Sequence, residues 1–232
     1  MLLSELTSQT QVPVAQLSRR LTGTQYWEDI IDIVGDELEA NFDNLRVFRV
    51  NMHPKALPDM DFSIAGYYGD EDEEGNDQIA VQIMHPEDPE DDDYAKITWN
   101  NENRKRFLRD LQDTIKHELV HRSQDTKRPS YIGHTPGKDT SSTEHEYLSR
   151  PDEMEAFALN VADRLIQTAR SKKGALDLLR TVRTTADMKN KIGHLLSSDL
   201  KSYITGFADK PKVLNLFLKK VYQRITEPED SQ

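Results

Sequence analysis

The sequence contains no cysteine. Disulfide bonds, thiolate nucleophiles and cysteine-ligated zinc are therefore excluded, and a strong metal site must be made from histidine nitrogens and carboxylate oxygens. The sequence also lacks a run of about 18 or more apolar residues, and its start lacks the basic segment and apolar core of an export signal. We therefore expect a soluble, cytoplasmic protein with no membrane partner.

Acidic residues are concentrated in two short segments, and these account for the whole net charge of −11. Residues 70–77 and 87–93 hold six acidic residues each and no lysine or arginine. We interpret both as solvated loops between predicted strands, as blocks of like charge usually are. Calcium binding is the alternative, which we disfavour because neither segment has the regular alternation or the terminal glutamate of an EF-hand loop. Residues 171–224 are basic, with 12 Lys and Arg against 4 Asp.

The spacing of apolar residues predicts a mixture of helices and strands. Helical periodicity covers residues 27–42, then a stretch capped by Asn103 that runs to about residue 124, and then a stretch from Pro151 to about residue 169. Four short segments rich in β-branched and aromatic residues, 45–52, 61–68, 78–84 and 94–99, are expected to form one sheet. Residues 127–149 are expected to form a long loop, and three or four shorter helices follow residue 171.

These elements predict an α+β fold in which a small, mostly antiparallel sheet packs on the long helix, followed by a helical C-terminal region. We place a catalytic domain at residues 21–170 and a helical extension at residues 171–226. An edge strand, for which we choose residues 94–99, could align an extended peptide by strand addition.

The sequence HELVH at residues 117–121 carries the clearest chemical signal. On a helix, His117 and His121 lie one turn apart on the same face and can reach one cation. In such a site the carboxylate of Glu118 does not bind the metal but takes a proton from water, whose pKa zinc lowers toward 7. A helical histidine pair with no metal is the structural alternative.

At this point the sequence resembles the gluzincin-type HExxH zinc peptidases, in which a second helix with the pattern E-x-x-A supplies a glutamate as the third ligand. Residues 153–156, EMEA, match that pattern. The resemblance implies that His117, His121 and Glu153 bind Zn²⁺ and that Glu118 is the general base. It covers the two active-site helices, about residues 104–169, and implies a zincin-like fold. One departure is Phe157, where many members of the family have an aspartate that supports a ligand histidine.

Glu155 is the rival third ligand. On a helical wheel it falls inside the apolar arc of its helix, whereas Glu153 lies at the edge of that arc. A buried carboxylate requires a metal or another partner, so both glutamates stay open as candidates.

The loop before this helix offers further polar side chains. Tyr131, His134, His145 and Tyr147 could each donate a hydrogen bond to a developing oxyanion. We choose Tyr147 as the catalytic donor because six residues separate it from Glu153. His134 or His145 as a replacement ligand, and Tyr147 as an ordinary packing residue, are the alternatives.

We therefore expect a zinc metallopeptidase that acts on a peptide or protein. The alternative is a structural or interaction protein of a virion that keeps the zinc-binding fold, since HELVH is similar to sequences in tailed-phage proteins and a viral source implies the host cytoplasm or the virion. Binding of nucleic acid by the basic C-terminal region is the third hypothesis, and we disfavour it because no aromatic or glycine-rich recognition element accompanies the charge. These basic helices could instead bind an acidic protein partner.

Overall fold

The structure is a computed structural model that describes residues 12–53, 61–71, 77–86, 95–127, 146, 148–182, 184–193, 205–207 and 210–227. The chain packs as two compact units, and the division falls between Arg122 and Ser123. This position lies inside one long helix, which is continuous across it. A packing unit need not be a functional domain, so the domains at residues 21–170 and 171–226 stay predictions.

The first unit combines helices and strands. Its elements in chain order are α1 (Val14–Arg20), β1 (Thr24–Tyr26), α2 (Trp27–Glu39), β2 (Leu45–Met52), β3 (Ser63–Glu71), β4 (Asp77–Pro86), β5 (Lys96–Thr98) and α3 (Asn101–Lys127), whose last residues belong to the second unit. In one sheet β4 lies between β2, which is parallel to it, and β3, which is antiparallel. Strands β1 and β5 pair antiparallel as a second sheet.

One face of the three-stranded sheet packs against α3. The register aligns Val47, Val81 and Gly66 across the three strands, so the Cβ positions of these residues lie on one face of the sheet. A Cβ atom added at Gly66 would meet the side chains of Thr114 and Glu118 on α3, which shows that this face contacts the helix. Apolar residues of the sheet and of α3 form the core here, among them Leu45, Ile64, Ile79, Val81, Ile83, Phe107, Leu111 and Ile115.

Helix α3 begins at a reciprocal pair of asparagine contacts. The Asn100 side-chain oxygen accepts hydrogen bonds from the backbone N–H groups of Glu102 and Asn103 at 2.8 and 2.9 Å. The Asn103 side-chain oxygen accepts one in return from the Asn100 N–H at 2.8 Å. This is a capping box made with asparagine. Asn100 is therefore the N-cap, and the prediction that Asn103 caps the helix was wrong by one turn.

The second unit is helical. It contains α4 (Pro151–Ala169), α5 (Lys172–Arg180), the short α6 (Thr185–Asp187) with a π-helical turn over Met188–Ile192, and α7 (Pro211–Thr226). One apolar cluster joins these elements and includes Met154, Ala158, Val161, Leu165, Leu179, Ile192, Phe217 and Val221. Phe157 packs against the same cluster, which accounts for an apolar residue at that position of α4.

The predicted fold class is confirmed: an α+β chain with a small, mostly antiparallel set of strands on the HExxH helix, followed by helices. The prediction of a single four-stranded sheet was wrong, because β5 pairs with the unpredicted strand β1 and not with β2–β4. The first acidic segment is partly strand, since Glu71 pairs with Asp77; the middle of that segment and all of residues 87–93 lie outside the described residues. No helix in the described part of the chain is long and apolar enough to cross a membrane.

Candidate metal centre

The two histidines of HELVH face each other on α3. Their Nε2 atoms are 2.9 Å apart, and the rings meet edge to face with centroids 4.6 Å apart. A spacing of four residues produces this arrangement, because it places side chains one above the other on a helix. Both nitrogens therefore point to a shared region of space beside the helix.

Glu153 joins these histidines. It is the third residue of α4, which begins at Pro151 as the sequence predicted, and it exposes 1% of its surface. One ligand atom each from His117, His121 and Glu153 lies within 4.8 Å of the other two. The group is buried, although the two histidines as whole residues keep intermediate exposure. The chain thus brings two imidazoles and one carboxylate to a single place, and this group could bind a metal ion.

The donor set fits zinc. Zinc–nitrogen bonds of about 2.0–2.1 Å place two nitrogens on one tetrahedral ion roughly 3.3 Å apart, and the carboxylate distance is similar. The observed Nε2 separation of 2.9 Å is shorter by a few tenths of an ångström, which small side-chain rotations can supply. Three protein ligands would leave one position of a four-coordinate ion for water.

Glu155 has a different environment, although it is only two residues from Glu153. Its Oε1 atom accepts a hydrogen bond from the Arg224 guanidinium at 2.5 Å, and its Oε2 atom accepts one from the Gln124 amide at 3.4 Å. Both of its oxygens therefore have protein donors. This arrangement favours Glu153 over Glu155 as the third ligand and supplies the partner that a carboxylate in this apolar arc requires.

Glu118 lies on a different side of α3 from the histidine pair. One residue on a helix turns the side chain by about 100° from the preceding one, and Glu118 points to strand β3. It exposes only 4% of its surface. An ideal Cβ at Gly66 would lie 2.9 Å from its Cγ and 3.0 Å from its Oε1. The carboxylate therefore lies directly over the backbone of β3, in space that any other residue at position 66 would fill.

No protein-family model, curated protein or solved structure matches this chain. The likeness to gluzincins consequently depends on the motif residues alone, and it stays a prediction. The structure adds geometry to the motif: it brings Glu153, which lies 32 residues after His121 in the sequence, into one group with His117 and His121.

The predicted oxyanion donor is not tested by the structure. Tyr147, and with it Tyr131, His134 and His145, lies outside the described residues. Tyr147 as a catalytic residue therefore stays a prediction, as does the role of Glu118.

Three residues near this group were missed in the sequence. Gly66 had a signal, because a glycine inside a strand often marks a close approach of another group to the backbone. Gln124 also had one, since it follows His121 by three residues and shares its helical face. Arg224 had none, because it is separated from Glu155 by 69 residues.

Proposed function

We propose that this protein is a zinc-dependent metallopeptidase. The observation that supports the proposal is the convergence of His117, His121 and Glu153, with the buried carboxylate of Glu118 on the same turn of α3. Glu118 is next to His117 in the sequence but is not one of the three grouped ligands, and to act as the base its carboxylate must come within hydrogen-bond distance of the attacking water.

The proposed roles follow from the donor types. His117, His121 and Glu153 hold the ion, which when bound supplies Lewis acidity to water and to the scissile carbonyl. Glu118 accepts the proton of the attacking water and later passes it to the leaving amine. Burial keeps this carboxylate largely out of bulk water. A peptide or protein substrate is proposed from the family resemblance, because the same chemistry serves small amides.

Strand β3 is the better place for an extended substrate. Among the described strands it pairs with β4 on one side only, and Gly66 places this strand against Glu118. Strand β5, which we chose from the sequence for strand addition, also pairs on one side only among these strands, but with β1 in the other sheet. We therefore propose that a peptide is aligned along β3, where strand addition would bring its backbone toward the general base.

Elemental analysis of purified protein, combined with hydrolysis of a generic quenched fluorescent peptide library, tests the proposal. Wild type should hold about one zinc per chain and cleave peptides. His117→Ala and Glu153→Ala should lose both properties, whereas Glu118→Gln should keep the zinc and lose cleavage. Glu155→Ala is the matched control for Glu153→Ala and should retain more metal.

Two results contradict the proposal in different ways. Wild-type protein that stays free of metal after incubation with zinc would exclude the metal centre. Zinc binding that depends on His117 and Glu153, without cleavage of any peptide tested, would support the alternative of a non-catalytic structural or virion protein that keeps the site.

A further inference from the structure

The first turn of α4 is held by side chains on both sides of Glu153. The guanidinium of Arg150 forms an ion pair with the Asp152 carboxylate, with one contact from its Nε at 3.2 Å. Two residues after Glu153, Glu155 pairs with Arg224 of α7. Asp152 and Glu153 are buried, with 3% and 1% of their surfaces exposed. The backbone that carries the third ligand is therefore fixed by its neighbours in sequence.

Gln124 connects this turn to the histidine helix. Its side-chain amide donates to the Asp152 carbonyl at 3.3 Å and to the Glu155 carboxylate at 3.4 Å. Because α3 is continuous through this point, Gln124 lies one turn beyond His121 and on the same face. A single amide group therefore links the turn after His121 to the turn that contains Glu153.

Arg224 completes the arrangement from the last helix. It donates to Glu155 at 2.5 Å and to both carboxylate oxygens of Glu227 at 3.1 and 3.3 Å. The side chains of Arg224 and Glu155 each expose 19% of their surface, so the pair is partly shielded from water. With Gln124 on one oxygen of Glu155 and Arg224 on the other, the carboxylate is held from two helices.

We infer that Gln124, Glu155 and Arg224 form a positioning network that sets the place of Glu153 as a metal ligand, so that α7 controls the affinity of the metal centre. The inference depends on the proposed metal centre and adds a support that lies outside residues 21–170. Groups that orient the ligands of a metal commonly change its affinity about 10- to 100-fold when they are removed. Arg224 is a positioning residue here, because it acts through Glu155.

The zinc dissociation constant of the full chain, measured by competition with a chromophoric chelator, tests this inference. Arg224→Ala should weaken zinc binding by about 10- to 100-fold. Arg224→Lys, which keeps the charge but has a single donor group, should recover part of the loss. Lys220→Ala is the matched control: Lys220 is a cation of α7 that lines one cavity together with Arg224 and Glu155, and its removal should change the constant less than about twofold.

Two further measurements separate positioning from simple stabilisation of the fold. In a Glu155→Ala background, Arg224→Ala should cause no additional loss of zinc affinity, because the two residues act through one contact. The visible spectrum of the cobalt-substituted protein should differ between Arg224→Ala and wild type, since it reports the ligand geometry. Glu155→Gln, which keeps the side-chain shape, should give an intermediate affinity if Arg224→Ala proves too unstable to study.

Unchanged zinc affinity in Arg224→Ala and Glu155→Gln, with only a lower melting temperature, would overturn the inference while leaving the metal centre in place. Equal losses in Arg224→Ala and Lys220→Ala would also overturn it, because general charge and not the contact to Glu155 would then be responsible. Failure of the wild type itself to bind zinc would remove the proposed function together with the inference.

Discussion

At residue 66, a single methyl group decides whether the carboxylate of Glu118 can lie where it does. A Cβ there would come within 2.7 Å of the Thr114 methyl and 2.9 Å of the Glu118 Cγ, closer than packed carbon atoms normally approach. Either side chain would have to move. Since proton transfer requires the general base within hydrogen-bond distance of the proton it takes, the position of Glu118 should be especially sensitive.

We predict that Gly66→Ala lowers peptide hydrolysis by about 100-fold, in line with the effect of a displaced catalytic group, while zinc content stays near that of wild type. Steady-state kinetics and elemental analysis on the same samples check this. Gly35→Ala is the control: an added Cβ meets nothing within 4 Å on α2, so this change should leave hydrolysis unchanged and stabilise the helix by about 0.5–1 kcal/mol. Wild-type hydrolysis in Gly66→Ala would contradict the prediction.

Arg170 has a backbone conformation that is unfavourable for any residue with a Cβ atom. It follows the last residue of α4 with φ of 55°, the left-handed region that glycine adopts at lower cost. We predict that Arg170→Gly raises the free energy of unfolding by about 0.5–1 kcal/mol. Thr168→Gly, an exposed position inside the same helix, should lower it by a few tenths to about 1 kcal/mol. Urea titration of both variants measures these opposite signs, and equal signs would contradict the argument.

At the scale of elements, the start of α3 matters most, because this helix carries the histidines. Asn100 satisfies two of its first N–H groups, which otherwise lack partners inside the helix. We predict that Asn100→Ala destabilises the protein by about 1 kcal/mol. Asn101→Ala, one residue along and exposed, should change stability by less than about 0.5 kcal/mol. Chemical denaturation distinguishes the two, and equal effects would show that the cap contributes little.

Elements whose limits are marked by residues within the segment itself could be predicted from the sequence. Strand β2 and helix α4 have the predicted limits, because alternation and an N-terminal proline mark them within the segment itself. The short elements α1 and β1 were missed, since a few residues carry too little periodicity. The pairing of Gln25 with Ile97 joins positions far apart in the chain, and local pattern contains no information about such a partner. Hence four of the five described strands were predicted, but their division into two sheets was not.

At the scale of the whole molecule, the grouping of His117, His121 and Glu153 could be predicted, and the contacts around that group could not. His117 and His121 are fixed by helical spacing, and Glu153 by a family pattern. The distinction from Glu155 required the structure, because it depends on Arg224 and Gln124 as hydrogen-bond donors. A helical wheel shows which face a residue lies on, but it does not show what the facing helix presents to it. Cationic side chains of the basic C-terminal region also form contacts within the chain that the sequence did not indicate. For example, the Lys172 ammonium donates a hydrogen bond to the Glu227 carbonyl.

Zinc should stabilise the whole chain if the triad binds it. A ligand that binds only the folded state adds about 2.7 kcal/mol at 100 times its dissociation constant, and for a chain of this size each kcal/mol shifts the melting temperature by about 2–4 °C. We therefore predict a rise of roughly 5–10 °C in scanning calorimetry when zinc is added at that concentration.

A chelator should reverse the shift, and His117→Ala should abolish it, because neither leaves an ion held by all three ligands. Glu118→Gln is the informative comparison: it removes the proposed base but no ligand, so it should keep the full shift. A shift that persists in His117→Ala would place the stabilising ion elsewhere in the chain, whereas a shift lost in Glu118→Gln would make that carboxylate a ligand and leave the proposed reaction without its base.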